Sequence, residues 1–313
     1  MKARLLTSLG IVISIALMFV LKVYVSPYFF DVFFVAIAGF AAFESSRLLS
    51  RTGKFNNIII ACSFPALVGL ATLLGVSFGL GFGYTILIDL GLVILGGLVS
   101  YIWSLCLRKK VLGEIRVREL HTTLNRFSFK KALNTTLALI YPSLLFTSML
   151  LLNHFDEIKL DSISNYGGVL SLVILILAFI IPMFTDSFAM LTGMLIGGKK
   201  LAPKISPNKT ISGSVGGTLF CILLSACVYL ILGSIDYFAP VVNSLEIWKV
   251  IIIVAVASVI SQCGDLFESW LKRKAGVKDS GKILPGHGGM LDRIDSYILT
   301  APVLLMAFCF ILI

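Results

Sequence analysis

The residues best suited to chemistry lie in one short stretch, "KDSGKILPGHGGMLDRIDS", Lys278–Ser296. Asp279, Asp292 and Asp295 share it with Lys278, Lys282, Arg293, His287 and four glycines. A Pro-Gly turn and a Gly-Gly pair run into Asp292 and Asp295, which stand at helical spacing. If that loop opens a helix, its free N–H groups and the helix dipole favour an anion. Carboxylates beside the anion would be repelled unless a divalent cation bridged them. Carboxylates plus phosphates are the usual ligands of Mg²⁺. The residues alone therefore suggest metal-assisted phosphoryl or nucleotidyl transfer.

Two further polar patches interrupt apolar sequence. In "FTDSFAMLTGMLIGGKKLAPKISPNKTISGSVGG", residues 184–217, Asp186 breaks an apolar run near its end, where an ionisable group is costly and usually functional. Ser206, Lys209, Thr210, Ser212, Ser214 and the glycines after it suit a phosphate site. A flexible basic loop explains them equally well, and the order of a Walker loop is absent. In "SQCGDLFESWLKR", residues 261–273, Asp265, Glu268, Ser269 and Lys272 share one helix face. An interfacial helix end accounts for Lys272 and Arg273. It accounts poorly for Asp265, which abuts the apolar run. Gly264 and Gly289 allow close approach of backbone or ligand.

The elements that must carry these residues are membrane helices. Of 313 residues, 58% are hydrophobic and 13% charged, and the mean hydropathy is +1.00. A soluble domain carries about 25% charged residues. Nine segments have the length and apolarity of a span: about 5–25, 29–43, 58–79, 84–107, 132–152, 167–185, 213–232, 248–264 and 297–313. The second is short. "MKARLLTSLGIVISIALMFVL" has a basic start but no small-x-small cleavage site after it, so it reads as an uncleaved first span. The expected fold is all-α, a polytopic membrane bundle of about nine helices. Residues 1–131 form an amino-terminal region ending in a basic loop, and 132–313 the catalytic region.

With the amino terminus inside, 23 of the 26 Lys and Arg fall in cytoplasmic segments. Lys22, Lys159 and Lys249 are the exceptions. The net charge of +10 is thus topogenic, with acidic lipid head groups as neighbours and no nucleic acid as partner. The largest basic loop, 108–131, is either an amphipathic surface helix or a solvated loop. The six cysteines lie in or beside apolar runs without a CxxC pair, so neither disulfides nor a zinc site is expected.

The segment Ser269–Asp295, "SWLKRKAGVKDSGKILPGHGGMLDRID", resembles the phosphatidate cytidylyltransferases, or CDP-diacylglycerol synthases. Their pattern is Ser, any residue, aliphatic, Lys-Arg, four residues and Lys-Asp. After a spacer come Pro-x-His-Gly-Gly, two residues and Asp-Arg-x-Asp. It is met here at every fixed position. Upstream, "SPNKTISGSVGG" resembles Ser-Pro-Lys-Lys-Thr-x-Glu-Gly-x-x-Gly-Gly, with Asn208 for a Lys and Ser212 for the Glu. "TDSFAML" resembles Asp-Thr-Gly-Ala-Tyr more loosely.

The resemblance implies that CTP and phosphatidate give CDP-diacylglycerol and pyrophosphate. It implies a homodimer in the cell membrane, its active site facing the cytoplasm. It also implies a divalent-metal site, Mg²⁺ with a second cation left open, whose carboxylates map onto Asp265 and Asp292. Asp295 and Glu268 stand as further ligands or partners of ligands. Ser206, Lys209, Thr210, Lys272, Arg273 and Arg293 are the phosphate-binding candidates, with Asp186 and Ser269 beside the substrates. His287 binds phosphate, donates a proton to pyrophosphate, or orders its loop. Two other classes compete: an ion pathway, from the acids Asp89, Asp186 and Asp265, and a CTP-dependent kinase acting on a membrane alcohol. Pyrophosphate release separates all three.

Overall fold

The computed structural model describes the chain except for residues 1, 113–117, 158–167, 285, 287 and 313, and except for the side chains of 2–8, 108–112, 118–124 and 311–312. His287 therefore lies outside the described residues, as does the centre of the largest basic loop. The described chain is helical almost throughout. In order it runs α1 (Lys2–Tyr24), α2 (Tyr28–Arg51), α3 (Ile58–Ser77), α4 (Phe82–Leu112), α5 (Arg118–Ala138), a π-helical turn (Leu139–Leu144) and α6 (Leu145–Asn153). Then come α7 (Val169–Ile196), a hairpin of β1 (Lys200–Ala202) and β2 (Ser206–Thr210), α8 (Ile211–Gly233), α9 (Ala239–Ser244), α10 (Ile247–Lys274) and α11 (Leu291–Leu312).

Among the described residues, eight helices are long and apolar enough to cross a membrane. The ninth expected span corresponds to α1, whose described apolar part, Leu9–Tyr24, is shorter. The second span, short by apolar content, is a helix of 24 residues, because Glu44, Ser45, Ser46 and Arg47 continue it. Hydrogen bonds inside a helix satisfy its backbone whatever the side chains, so polar residues at a membrane edge need not end it.

α5 and α6 form one span, bent where Tyr141 takes extended dihedrals (φ −114°, ψ 121°) ahead of Pro142. A proline withholds a helix donor and clashes with the preceding turn, so a bend falls there. α6 is buried from Phe146 to Asn153 and sits in the middle of the bundle. Around it pack Phe30 and Phe34 of α2, Phe64 of α3, Ile174 and Ile181 of α7, and Phe308 of α11. Phe34 meets Phe146 edge-on at 5.5 Å between centroids. Residue 131 falls inside α5, and a single core holds residues from both sides of it. The outward faces carry Leu87, Leu98, Leu219, Leu223 and Val256, all exposed, as helices in contact with lipid do.

At the end of the bundle away from the hairpin, polar residues tie three helices together. His154 bonds Asp31 at 2.6 Å and Glu157 at 3.0 Å. Asn153 donates to Asp31 at 2.8 Å, and Lys22 donates to Asn153 Oδ1 at 2.7 Å. Burial alone would depress the His154 pKa, but the two carboxylates outweigh it and raise it to about 9. The ring is thus charged at neutral pH, which makes this a buried, paired network rather than an isolated charge. All six cysteines are free.

The helix directions fix which loops share a side. A cysteine in place of Lys278, and another in place of Asp236, each in a chain with the native cysteines replaced, label from opposite faces of sealed vesicles. Both positions are exposed, and each lies in a loop at the opposite end of α10 from the other. Labelling of both from one face would break the alternation of spans.

Candidate active site

The polar patches converge at one end of the bundle. The carboxyl-terminal ends of α2, α7 and α10 meet the hairpin and the amino-terminal ends of α8 and α11 there. Asp186, Asp265, Glu268, Lys272, Asp292 and Asp295 are all helical, so rigid elements hold the charged groups. Thr210 caps α8, its Oγ1 accepting from Gly213 N at 3.0 Å. Arg273 Nε donates to Ile205 O at 3.2 Å and ties the hairpin to α10.

Two charge groups result. In the first, Lys209 of β2 reaches across to pair with Asp265 of α10. Ser269, one turn on, donates to the other Asp265 oxygen at 3.4 Å. Asp186 and Asp295 both lie within electrostatic reach of the Asp265 carboxylate. Ser296 donates to Asp186 at 3.0 Å. Gly264 is packed against α11, where a Cβ would stand 2.5 Å from Asp295 O, so the predicted close approach is one of backbone to backbone.

In the second group, Lys272 pairs with Glu268 one turn back and donates to Asp292 Oδ1 at 2.7 Å. Asp292 also accepts from Gly289 N at 2.7 Å and from Ser280 N at 3.0 Å. The loop N–H groups expected to face an incoming anion are therefore turned inward onto a carboxylate. Leu291 N likewise donates to Glu44 of α2 at 2.8 Å. The amino terminus of α11 is capped by acids of the protein itself.

A cavity of about 670 Å³ opens beside the first group. Its lining includes the polar Asp186, Asp265, Lys209 and Thr210 and the apolar Met190, Met194 and Leu201. Ser206, Arg273 and Arg293 do not line it. Nor do all the glycines of the 184–217 patch serve a ligand. Gly213 packs α8 against α7, where a Cβ would meet Ala189 O at 2.5 Å.

Among the described residues no three acidic, His or Cys side chains converge closely enough to hold a metal ion by themselves. Magnesium does not demand that, since it keeps several waters and takes one or two carboxylates plus substrate phosphates. Asp265, which lines the cavity, suits that donor set, with Asp186 and Asp295 within electrostatic reach and one lysine as counter-charge. At Asp292, lysine and backbone donors engage both oxygens, as Lys209 and Ser269 do at Asp265, so hydrogen bonding alone does not choose between these two carboxylates.

A model of the cytidylyltransferase family matches residues 2–311. The chain belongs to the cytidylyltransferase family. It is similar to the phosphatidate cytidylyltransferase of Staphylococcus haemolyticus (strain JCSC1435), 39% identical over 180 residues, 58% of this chain and 60% of that one. It is 45% identical over 130 residues to that of Staphylococcus saprophyticus, covering 42% of this chain and 46% of the relative. It is 46% identical over 127 residues to that of Staphylococcus aureus (strain COL), covering 41% and 45%. These matches span about half the length of the curated relatives.

Sequence reasoning missed two residues of this region. Glu44 lies on α2, far from the motifs. Tyr141, at the bend between α5 and α6, is buried with its hydroxyl unpartnered among the described residues. It lies within electrostatic reach of Glu268, Asp295, Asp265 and Asp292. Glu44 carried a signal, an acid directly after an apolar run. Tyr141 carried none, because a tyrosine amid apolar residues is ordinary.

Proposed function

We propose that this chain transfers a cytidylyl group from CTP to phosphatidate, releasing pyrophosphate. A phosphatidate phosphate oxygen attacks the α-phosphorus of CTP. The bond from that phosphorus to the bridging oxygen breaks, and its electrons leave with pyrophosphate. The observation that carries this reading is a cavity lined by both charged and apolar side chains. Asp265, Lys209 and Thr210 suit a water-borne triphosphate, while Met190, Met194 and Leu201 suit the glycerolipid end of an acceptor that stays in the bilayer. The family match and the names of the relatives support the same chemistry.

The phosphate of phosphatidate is already anionic near neutral pH, so the acceptor needs no strong general base. The barrier is repulsion between two polyanions, and cationic groups lower it. Lys209 and Lys200 of the cavity wall supply charge to the triphosphate. Lys272 is held for the departing phosphates by Glu268 and Asp292. Asp265 and Asp295 are the residues to hold Mg²⁺, which supplies charge neutralisation at the phosphates when bound. We further read the protein as a homodimer of the cell membrane, with the cavity on the cytoplasmic side.

The test uses detergent-solubilised protein with CTP labelled in turn at the α- and γ-phosphates. Labelled CDP-lipid and pyrophosphate appear in equal amounts and only when phosphatidate is present. Chelation abolishes both products and Mg²⁺ restores them. Release of CDP with label on an alcohol would identify a kinase instead. No consumption of CTP under any of these conditions would sink the proposal.

A further inference from the structure

We infer that Glu44 is a positioning residue for this site, acting through the Ser280–Leu291 loop. The inference rests on the functional reading above, to which it adds a residue from the amino-terminal part of the chain. Glu44 is 2% exposed although it carries a carboxylate. One of its oxygens, Oε2, accepts from Ser280 Oγ at 3.0 Å and from Leu291 N at 2.8 Å. These residues stand at the two ends of the loop, so one oxygen of α2 clasps its beginning to its end.

The loop is shaped around that carboxylate. A Cβ at Gly281 would fall 2.0 Å from Glu44 Oε1, and one at Gly289 would fall 2.3 Å from Oε2. No side chain other than hydrogen fits at either position while Glu44 is in place. The same segments also hold Asp292. Ser280 gives its hydroxyl to Glu44 and its N–H to Asp292, and Gly289, pressed on Glu44, gives its N–H to Asp292. Asp292 in turn receives Lys272. The chain of contacts runs from Glu44 to the loop, to Asp292, to the Lys272 ammonium.

Glu44 Oε1 is buried and has no hydrogen-bond partner among the described residues. Geometry therefore asks for one acceptor oxygen at Oε2 and for the volume of the side chain. Glutamine meets both demands with its amide oxygen at Oε2 and its nitrogen at the bare position. Alanine meets neither, and aspartate is too short.

The experiment measures steady-state kinetics and loop accessibility together. A cysteine replaces the exposed Lys282 in a chain without other cysteines, and its maleimide labelling rate reports loop opening with no need of turnover. Glu44→Ala lowers kcat about 50-fold with the KM for CTP moved less than about twofold, because Glu44 does not line the cavity. Labelling at position 282 rises about tenfold in the same variant. Glu44→Gln recovers kcat to within about fivefold of the parent and restores slow labelling. Ser280→Ala, which keeps the carboxylate and deletes one of its bonds, falls between, and it carries the test if Glu44→Ala does not fold. A Glu44→Gln variant as impaired as Glu44→Ala, with slow labelling, would mean that charge and not position matters, and would overturn the inference. So would parental labelling rates in Glu44→Ala and Ser280→Ala. Absence of any CTP turnover in the parent would instead remove the functional reading and leave the labelling result standing.

Discussion

Replacing Asp292 with alanine lowers turnover by about three orders of magnitude while the protein still inserts and purifies. A displaced Lys272 that withholds about 4 kcal/mol of stabilisation from the transition state lowers the rate about 10³-fold. Asp292 accepts from Lys272, Gly289 and Ser280. Without it, the Lys272 ammonium keeps only Glu268 as a partner and swings toward it. Two loop N–H groups also lose their acceptor. Asparagine is no rescue here, unlike glutamine at position 44. Both Asp292 oxygens face donors, so an amide nitrogen at either would meet an N–H group or the ammonium head-on. Initial rates with saturating CTP and phosphatidate check this, with thermal unfolding in detergent as the control for folding. An Asp292→Asn variant within tenfold of the parent would show that the site does not depend on the carboxylate.

The contrast between these two acids shows what was legible in the sequence. Hydropathy gave eight of the expected spans among the described residues, because insertion energies act on composition over about 20 residues and need no tertiary information. The motif residues of α10 and α11 were equally plain, since Asp265, Glu268, Ser269 and Lys272 share a face by helical periodicity alone. Helix ends were not legible. Expected spans stopped at residues 43, 185 and 264, whereas the helices run on to Arg51, Ile196 and Lys274. Hydropathy falls at the first charged residues, while helical hydrogen bonding does not. That error left Glu44 in a notional loop when it stands on a rigid helix beside the site. The direction of the loop N–H groups was not legible either. A glycine-rich turn before a helix suits an external anion or an internal carboxylate equally, and only the packing of α2 and α11 decides for the latter. The division at residue 131 reflects where the motifs lie.

Asp265 and Lys209 give the second large effect, and their pairing makes it diagnostic. If the carboxylate served only to hold the lysine, deleting either partner would damage the site alike. We expect otherwise. Lys209→Ala removes a cation from the cavity wall and raises the KM for CTP about tenfold, with a smaller change for phosphatidate, because on the proposed reading the lysine would meet the triphosphate. Asp265→Asn lowers kcat about 10³-fold, because the carboxylate that would hold a divalent cation against the phosphates is lost. It also raises the Mg²⁺ concentration for half-maximal rate, which a counter-ion role for Lys209 alone would not do. The double variant is then hardly slower than Asp265→Asn, since contacting residues that share one task combine non-additively. Rates measured across a Mg²⁺ titration for the parent, both single variants and the double one decide the matter. If Asp265→Asn stays within a few-fold of Lys209→Ala and keeps the parental Mg²⁺ dependence, Asp265 is a structural partner of Lys209. The cation must then be held by Asp186 and Asp295 with the substrate phosphates.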